Sequence, residues 1–205
     1  MSQAPTRSTA TGHAPEPAWD VARLFPDQGH WTEADYFDLD TNRLVEFSDG
    51  FIEVLPMATT SHQLILLLLY RLLESFVSTR NLGTVAVSAL PVRLWPGKIR
   101  EPDVLFMRAE HAHRIGEQFW EGADLVMEVV SEDRRHDLEI KRLEYARAGI
   151  PEYWMVDPKL GRITVLVLAG DSYAVHGEFA RGDRATSVLL EGFGVDVATV
   201  FAAKS

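Results

Sequence analysis

The chain contains no cysteine among its 205 residues. This absence excludes disulfide bonds and thiolate metal sites. Any bound metal ion must therefore be held by oxygen or imidazole ligands, which favours Mg²⁺, Mn²⁺ or Ca²⁺ over structural zinc.

Positive charge is scarce. The chain has 20 Lys and Arg residues against 30 Asp and Glu residues, and its net charge is −10. Proteins that bind nucleic acid without sequence preference usually carry a basic surface, so the total argues against that class but leaves a local basic patch open. The basic residues that could form a phosphate-binding rim are Arg93, Lys98, Arg100, Arg134, Arg135 and Arg142.

Long hydrophobic runs are also missing. The most apolar run, Leu64 to Tyr70, has 7 residues, whereas a membrane span needs about 20. Residues 1–18 are rich in Ser, Thr, Ala, Pro and Gly and lack the apolar segment of a secretory signal, so they predict a disordered tail. We expect residues 19–205 to form a single cytoplasmic domain.

Hydrophobic periodicity, caps and turn residues predict an α/β fold with a mixed central sheet flanked by helices and an N-terminal β-hairpin. The hairpin is predicted around Asp49-Gly50. Four helices are predicted. The first begins at Thr32, the third covers 137–148 and the fourth covers 197–203. The second runs from an N-cap at Ser61 through Phe76, with apolar residues around nearly its whole circumference. The other predicted strands cover 85–94, 104–107, 125–130, 153–156, 163–168, 172–176 and 187–190.

Glu128 lies inside the apolar run Leu125 to Val130. A carboxylate buried in a strand costs several kcal/mol unless a cation or metal ion compensates it. Strand alternation places Val126, Glu128 and Val130 on one face of the predicted sheet. Glu128 is therefore the residue that most needs a partner.

Two other charged residues could join Glu128. Asp103 begins a neighbouring predicted strand, and strands about 4.8 Å apart could present both carboxylates to one hard cation. On the following helix Asp137, Lys141 and Tyr145 share one side, because they are spaced four residues apart. A lysine there could orient an attacking water or stabilise charge at a scissile phosphate.

Each of these residues also has a purely structural interpretation. Asp103 could cap a turn, Glu128 could pair with an arginine such as Arg93, and Lys141 could be a solvated lysine paired with Asp137. Glu46 could be a solvated partner of Arg43 or of a neighbouring charge, and His62 and Tyr145 could be ordinary first-turn and packing residues. The combination in one chain favours a site over any of these alone.

Several segments together resemble the PD-(D/E)XK nuclease superfamily and, within it, the Uma-two family of restriction-endonuclease-like proteins. The resemblance covers roughly residues 30–200. The segments that carry it are Val45-Glu46 before Asp49-Gly50, His62-Gln63, 101–106, 124–131, and 137–157 with Lys141, Tyr145 and the run from Ala148 to Asp157.

The resemblance implies a restriction-endonuclease-like fold and Mg²⁺- or Mn²⁺-dependent cleavage of nucleic acid, with DNA as the expected substrate. Asp103 and Glu128 resemble the metal ligands, and Glu46 matches an acid that joins them. Val130 occupies the lysine position of the parent motif, and Lys141 on the next helix matches the displaced lysine. His62, Asp137 and Tyr145 match positions that line the cleft.

Two other functions stay open at this point. One is a non-catalytic module that binds nucleic acid or a protein on the same fold. The other is a metal-dependent hydrolase of smaller phosphate esters, which the absence of a Gly-rich phosphate loop disfavours. Double-strand cleavage with one site per chain would favour a homodimer.

Overall fold

The computed structural model describes residues 25–41 and 43–203, so the predicted tail at 1–18 lies outside the described residues. The helices are α1 (Glu33–Phe37), α2 (Thr60–Ser78), α3 (Lys141–Arg147) and α4 (Val197–Ala202). A 3-10 helix covers Ala109–Arg114, and a π-helical turn covers His136–Ile140 directly before α3. The strands are β1 (Val45–Ser48), β2 (Phe51–Val54), β3 (Gly83–Val87), β4 (Val92–Trp95), β5 (Lys98–Arg100), β6 (Val104–Arg108), β7 (Trp120–Glu121), β8 (Leu125–Val129), β9 (Glu152–Asp157), β10 (Arg162–Ala169), β11 (Ser172–Phe179), β12 (Arg184–Thr186) and β13 (Gly194–Asp196).

The central sheet has six strands in the order β11-β10-β9-β8-β6-β3. Strands β8 and β9 are parallel, and the other neighbours are antiparallel. This mixed sheet confirms the predicted fold class. The parallel pair is joined through the π-helical turn and α3, a crossover that a parallel connection requires.

The predicted N-terminal hairpin is confirmed, and it belongs to a second sheet with the order β2-β1-β5-β4-β7. Ser48 pairs with Phe51 across the turn, and Asp49 and Gly50 both have positive φ angles of 48° and 91°. Two positive φ angles are what a two-residue type I′ turn needs, which explains the Asp-Gly pair.

The helices cover both faces of the central sheet. On one face Leu125, Met127 and Val129 pack with α2, and on the other Val126 and Val130 pack with Tyr145 of α3. The predicted strand alternation is therefore confirmed. Each face buries an apolar layer, so the carboxylate of Glu128 points into the layer below α3.

Helix α2 corrects two details of the sequence analysis. Its N-cap is Thr59, whose side chain accepts the His62 N–H, and not Ser61. The helix is also one-sided, because Ile65, Leu69 and Leu73 are fully buried while Leu64 and Leu67 are each 39% exposed. Only the face toward the sheet is covered.

Two predicted strands are wrong. Residues 85–94 form two strands of different sheets, β3 and β4, because the chain turns between Ser88 and Pro91. Residues 187–190 form a bend instead of a strand, because the Glu152 carboxylate binds the N–H groups of Val188 and Leu189. Within the described residues, no helix combines the length and the apolar character needed to cross a membrane.

Candidate metal centre

Asp103 and Glu128 lie opposite each other at the end of the central sheet. The register pairs Val104 with Met127, so the residue before Val104 faces the residue after Met127. Asp103 Oδ2 accepts the Val129 N–H at 2.7 Å, which fixes its carboxylate beside β8. The side chain of Asp103 is 13% exposed, while Glu128 is 3% exposed. The pair therefore has a floor at Glu128 and an opening at Asp103.

Lys141 and Tyr145 hold one oxygen of Glu128. Lys141 Nζ lies 3.0 Å from Glu128 Oε1, and the Tyr145 hydroxyl donates to the same oxygen at 2.6 Å. Burial raises the pKa of Glu128 to about 7. The Lys141 charge opposes this shift, and the charges of Asp103 and Asp137 add to it.

Lys141 is surrounded by three carboxylates. Besides Glu128, its Nζ lies 3.7 Å from Glu46 Oε1 and 3.7 Å from Asp137 Oδ1. Burial alone would lower the pKa of Lys141, but these carboxylates outweigh burial and raise it. The surrounding carboxylates therefore favour the protonated form of the buried Lys141 amine.

Asp137 is placed by the π-helical turn. Its Oδ2 accepts the N–H and the hydroxyl of Ser131, each at 2.7 Å, and Oδ1 faces Lys141. The prediction that Asp137, Lys141 and Tyr145 share one side of the helical segment is confirmed, since Lys141 contacts both Asp137 and Glu128 and Tyr145 contacts Glu128. A π-helical turn inside a helical segment is a frequent feature of functional sites.

Glu46 lies behind Lys141, fully buried in β1. Its Oε2 accepts a hydrogen bond from Arg100 Nη1 at 2.9 Å, and its Oε1 accepts one from the Glu101 N–H at 3.1 Å. His136 Nε2 lies 3.4 Å from Oε2. Burial would raise its pKa, but Lys141, His136 and Arg100 outweigh burial and lower it. These donors surround the carboxylate that was predicted as a third metal ligand.

Arg100 is a functional-site neighbour that the sequence analysis treated only as a rim residue. It is 1% exposed and contacts Glu46, Glu53 and Glu144, with Glu144 lying on α3. Glu46 and Glu53 face each other across the hairpin. The hairpin register implied by Asp49-Gly50 already places these two acids together, and such a like-charge pair needs a cation.

His62 reaches the site from the first turn of α2. Its Nε2 lies 3.0 Å from Asp103 Oδ1, and its side chain is 17% exposed. Burial lowers the pKa of His62, but the hydrogen bond to Asp103 and the charges of Asp103, Glu128 and Asp137 raise it by more. The structure thus brings His62 to the open side of the site.

The basic residues named as a phosphate rim already have partners. These contacts are Arg93 with Glu33 and Glu121, Lys98 and Arg100 with Glu144, Arg134 with Asp157, Arg135 with Glu139, and Arg142 with the Tyr173 carbonyl. The pairing of Glu128 with Arg93 is therefore wrong, and so is the solvated pairing of Lys141 with Asp137. Because each of these cations already has a partner, the predicted phosphate-binding rim is weaker than the number of its basic residues suggests.

Among the described residues, one group of three donors lies close enough together to hold a cation. Glu46, Glu53 and His136 each offer an atom within 4.8 Å of the others. Arg100 Nη1 already binds both acids, at 2.9 and 2.7 Å, so a guanidinium occupies that cluster. The ligands predicted from the sequence, Asp103 and Glu128, form a separate pair, in which Lys141 and Tyr145 both donate to Oε1 of Glu128. The other oxygen of Glu128, Oε2, is therefore the better placed of the two to bind a metal ion.

Comparisons with known proteins agree with this architecture. Residues 33–198 match the model of the Uma2 family, described as "Putative restriction endonuclease". The chain belongs to the Uma2 family. A search of curated proteins found no match.

A solved structure shares the fold. It is described as a "putative nuclease belonging to DUF820" from Anabaena variabilis ATCC 29413. The similarity has a TM-score of 0.71 and 16% sequence identity, and it covers 85% of this chain and 99% of that one. At this identity the match shows the fold, which is the restriction-endonuclease-like fold expected from the sequence.

Proposed function

We propose that this protein is a divalent-metal-dependent nuclease that hydrolyses phosphodiester bonds in DNA. The observation that carries the proposal is the convergence of Asp103, Glu128 and Lys141. Three side chains distant in sequence meet at one end of the central sheet, with Lys141 Nζ 3.0 Å from Glu128. Membership of the Uma2 family supports the same reaction class.

The donors fit a hard cation. Asp103 and Glu128 offer carboxylate oxygens, the ligands that Mg²⁺ and Mn²⁺ accept readily. Asp103 is the more exposed of the two, and Lys141 and Tyr145 both donate to Oε1 of Glu128 and not to its Oε2. When bound, a divalent ion would act as a Lewis acid on the phosphate and lower the pKa of an attacking water.

The protein supplies position and charge. Tyr145 and Lys141 fix Glu128 Oε1, and the Val129 N–H fixes Asp103 Oδ2. Lys141 stays protonated among its three carboxylates, so it presents a fixed positive charge that stabilises the negative charge developing on the phosphate. Glu46 and Asp137 keep that ammonium group in place from the other side.

The electrostatics make substrate binding depend on the metal. Without an ion the site holds the charges of Asp103, Glu128 and Asp137 against that of Lys141, because Glu46 is already paired with Arg100, and the rim cations are paired. We therefore expect DNA to bind weakly until a divalent ion reduces the negative charge. A homodimer remains a prediction and follows from double-strand cleavage alone.

Conversion of supercoiled plasmid to nicked or linear DNA tests the proposal, with Mg²⁺, Mn²⁺ or EDTA in parallel and an RNA substrate alongside. We expect cleavage of DNA that requires metal and falls by about 10²–10³-fold in Asp103→Asn. Asp171→Asn, in the exposed β10–β11 turn, is the matched control and should retain wild-type cleavage. Metal uptake or DNA binding with no cleavage would instead support a non-catalytic binding module.

A further inference from the structure

Arg100 on β5 divides its hydrogen bonds between two elements. Its Nε and Nη2 atoms donate to the two oxygens of Glu144 on α3, at 2.7 and 3.0 Å. Its Nη1 atom donates to Glu46 and Glu53 of the hairpin, at 2.9 and 2.7 Å. Because the guanidinium is planar and only 1% of Arg100 is exposed, it holds the helix and the hairpin in one relative geometry.

Glu46 connects Arg100 to Lys141. Its Oε2 accepts the Arg100 hydrogen bond, and its Oε1 lies 3.7 Å from Lys141 Nζ. Lys141 and Glu144 are three residues apart on α3, so their side chains are neighbours on the helix surface. The contacts therefore close a contact ring, in which Arg100 reaches α3 both directly, at Glu144, and by way of the Glu46 carboxylate.

Helix α3 depends on such contacts because it is short. It has 7 residues, follows the π-helical turn directly and has no side-chain cap at its N-terminus. A helix of this length is not stable alone, so tertiary contacts determine its position. Tyr145 and Ala146 pack it against the central sheet. Glu144 binds it to β5 through Arg100 and Lys98.

We infer that Arg100 positions the ammonium group of Lys141, acting through Glu46 and through α3. This inference rests on the proposed function, in which Lys141 stabilises charge on the scissile phosphate. Arg100 is a positioning residue, since its hydrogen bonds end on these glutamates and on Glu53 and not on the proposed metal ligands. A displacement of about 1 Å at a reacting group can reduce a rate about 100-fold, so the position of the amine matters as well as its charge.

Arg100→Lys separates charge from geometry. A lysine keeps one positive charge, but its ammonium group lacks the fork of donors that contacts Glu46 and Glu144 together. Glu53→Gln is the matched control, because it removes a 2.7 Å contact of the same Nη1 atom and leaves the contact ring intact. Glu144→Gln opens the contact ring from α3 and is the second variant. Thermal unfolding shows that each variant is folded.

The first measurement does not depend on cleavage. In the metal-free, ¹⁵N-labelled full chain, nuclear magnetic resonance detects buried lysine ammonium groups, and the signal that Lys141→Arg removes belongs to Lys141. We expect its protons to exchange with water at least about tenfold faster in Arg100→Lys and Glu144→Gln, because the amine is less restrained. Glu53→Gln should keep the wild-type exchange rate. Unchanged exchange in the two variants that open the contact ring would overturn the inference.

The second measurement is the single-turnover rate of plasmid cleavage at saturating Mn²⁺ and DNA. We expect Arg100→Lys to lower this rate by about 10- to 100-fold. The Mn²⁺ and DNA concentrations that give the half-maximal rate should change by less than about threefold. In a Lys141→Met background Arg100→Lys should cause no further loss, because its effect passes through Lys141. Equal losses in both backgrounds would contradict a role through Lys141.

The two measurements separate this inference from the proposed function. A wild-type protein that does not cleave DNA, with faster Lys141 exchange in Arg100→Lys, would end the nuclease proposal and leave the placement of Lys141 by Arg100 standing. A wild-type protein that cleaves DNA, with unchanged rate and unchanged exchange in Arg100→Lys, would leave the nuclease proposal standing and show that the role of Arg100 is wrong.

Discussion

Two buried carboxylates lie on neighbouring parallel strands and behave differently. Glu128 on β8 is 3% exposed, and Glu152 on β9 is 1% exposed. Glu152 accepts four hydrogen bonds from neutral donors, the Trp154 ring N–H, the Ser187 hydroxyl and the N–H groups of Val188 and Leu189, at 2.7 to 2.8 Å. Glu128 accepts two, both on Oε1, and one of them comes from the buried cation Lys141.

The difference separates a structural acid, Glu152, from the acid proposed to be functional, Glu128. Every oxygen of Glu152 is used to hold the 187–190 bend against the sheet, so this carboxylate has no capacity left for a ligand. Glu128 keeps Oε2 for another partner and depends on a charged neighbour. A buried carboxylate with incomplete hydrogen bonding and a compensating cation is the better candidate for chemistry.

The largest loss of stability should come from removing the charge of Lys141. In Lys141→Met we expect the free energy of unfolding to fall by about 3–5 kcal/mol, because Glu128, Glu46 and Asp137 lose their shared buried partner. Urea unfolding without divalent metal measures it. The double variant Lys141→Met/Glu128→Gln should recover part of the loss, since one uncompensated charge is gone.

The control for this variant is Lys159→Met on the exposed β9–β10 turn, which should change stability by less than about 0.5 kcal/mol. Equal losses in Lys141→Met and Lys159→Met would show that Lys141 does not compensate the carboxylates. The assigned floor of the site would then be wrong.

A smaller loss is expected at the structural acid. Glu152→Gln keeps the shape but replaces one acceptor oxygen by an NH₂ group, so two of its four donors lose their acceptor. We expect a decrease of about 2–4 kcal/mol in the free energy of unfolding. Glu191→Gln, an exposed acid in the next turn, is the control.

Metal affinity should distinguish the two acids, because only Glu128 is proposed to bind the ion. Folded Glu152→Gln should bind Mn²⁺ with wild-type affinity in a calorimetric titration, whereas Glu128→Gln should bind it weakly. Weakened binding in Glu152→Gln would mean that the two acids are not functionally separate.

Sequence patterns predicted more of the fold than of the site. The alternation in Leu125–Val130 identified Glu128 as a buried acid, and Asp49-Gly50 fixed the hairpin, because both signals are local. Glu152 was missed because its strand was predicted to begin one residue later, at Tyr153. Its four donors come mostly from 187–189, a long-range contact that also turned a predicted strand into a bend.

The convergence of site residues was predictable in part. The placement of Asp103 beside Glu128 follows from the pairing of β6 with β8. The shared side of Asp137, Lys141 and Tyr145 follows from their four-residue spacing on a helix. The contact between His62 and Asp103 does not, because it depends on how α2 is placed against the sheet. The capture of Glu46 by Arg100 likewise depends on the pairing of β1 with β5 within one sheet, and no local pattern encodes that long-range pairing.

The smallest expected effect concerns pH. Burial raises the pKa of Glu128 to about 7 in the folded protein, above the ordinary value of 4.5. Between these two values the folded state binds more protons than the unfolded state, so ionisation of Glu128 makes stability fall as the pH rises. Well below pH 4.5 the Glu128 carboxyl is protonated in both states, and this penalty is absent.

Glu128→Gln removes this titration. In metal-free buffer its free energy of unfolding, relative to the wild type, should therefore rise by about 1–3 kcal/mol between pH 5 and pH 7.5. Glu101, whose pKa burial also raises to about 7, is present in both proteins, so the difference between them reports on Glu128. Urea unfolding at several pH values measures it. A difference that stays constant with pH would mean that Lys141 holds Glu128 ionised throughout, and that Glu128, like Glu152, is fully compensated without a metal.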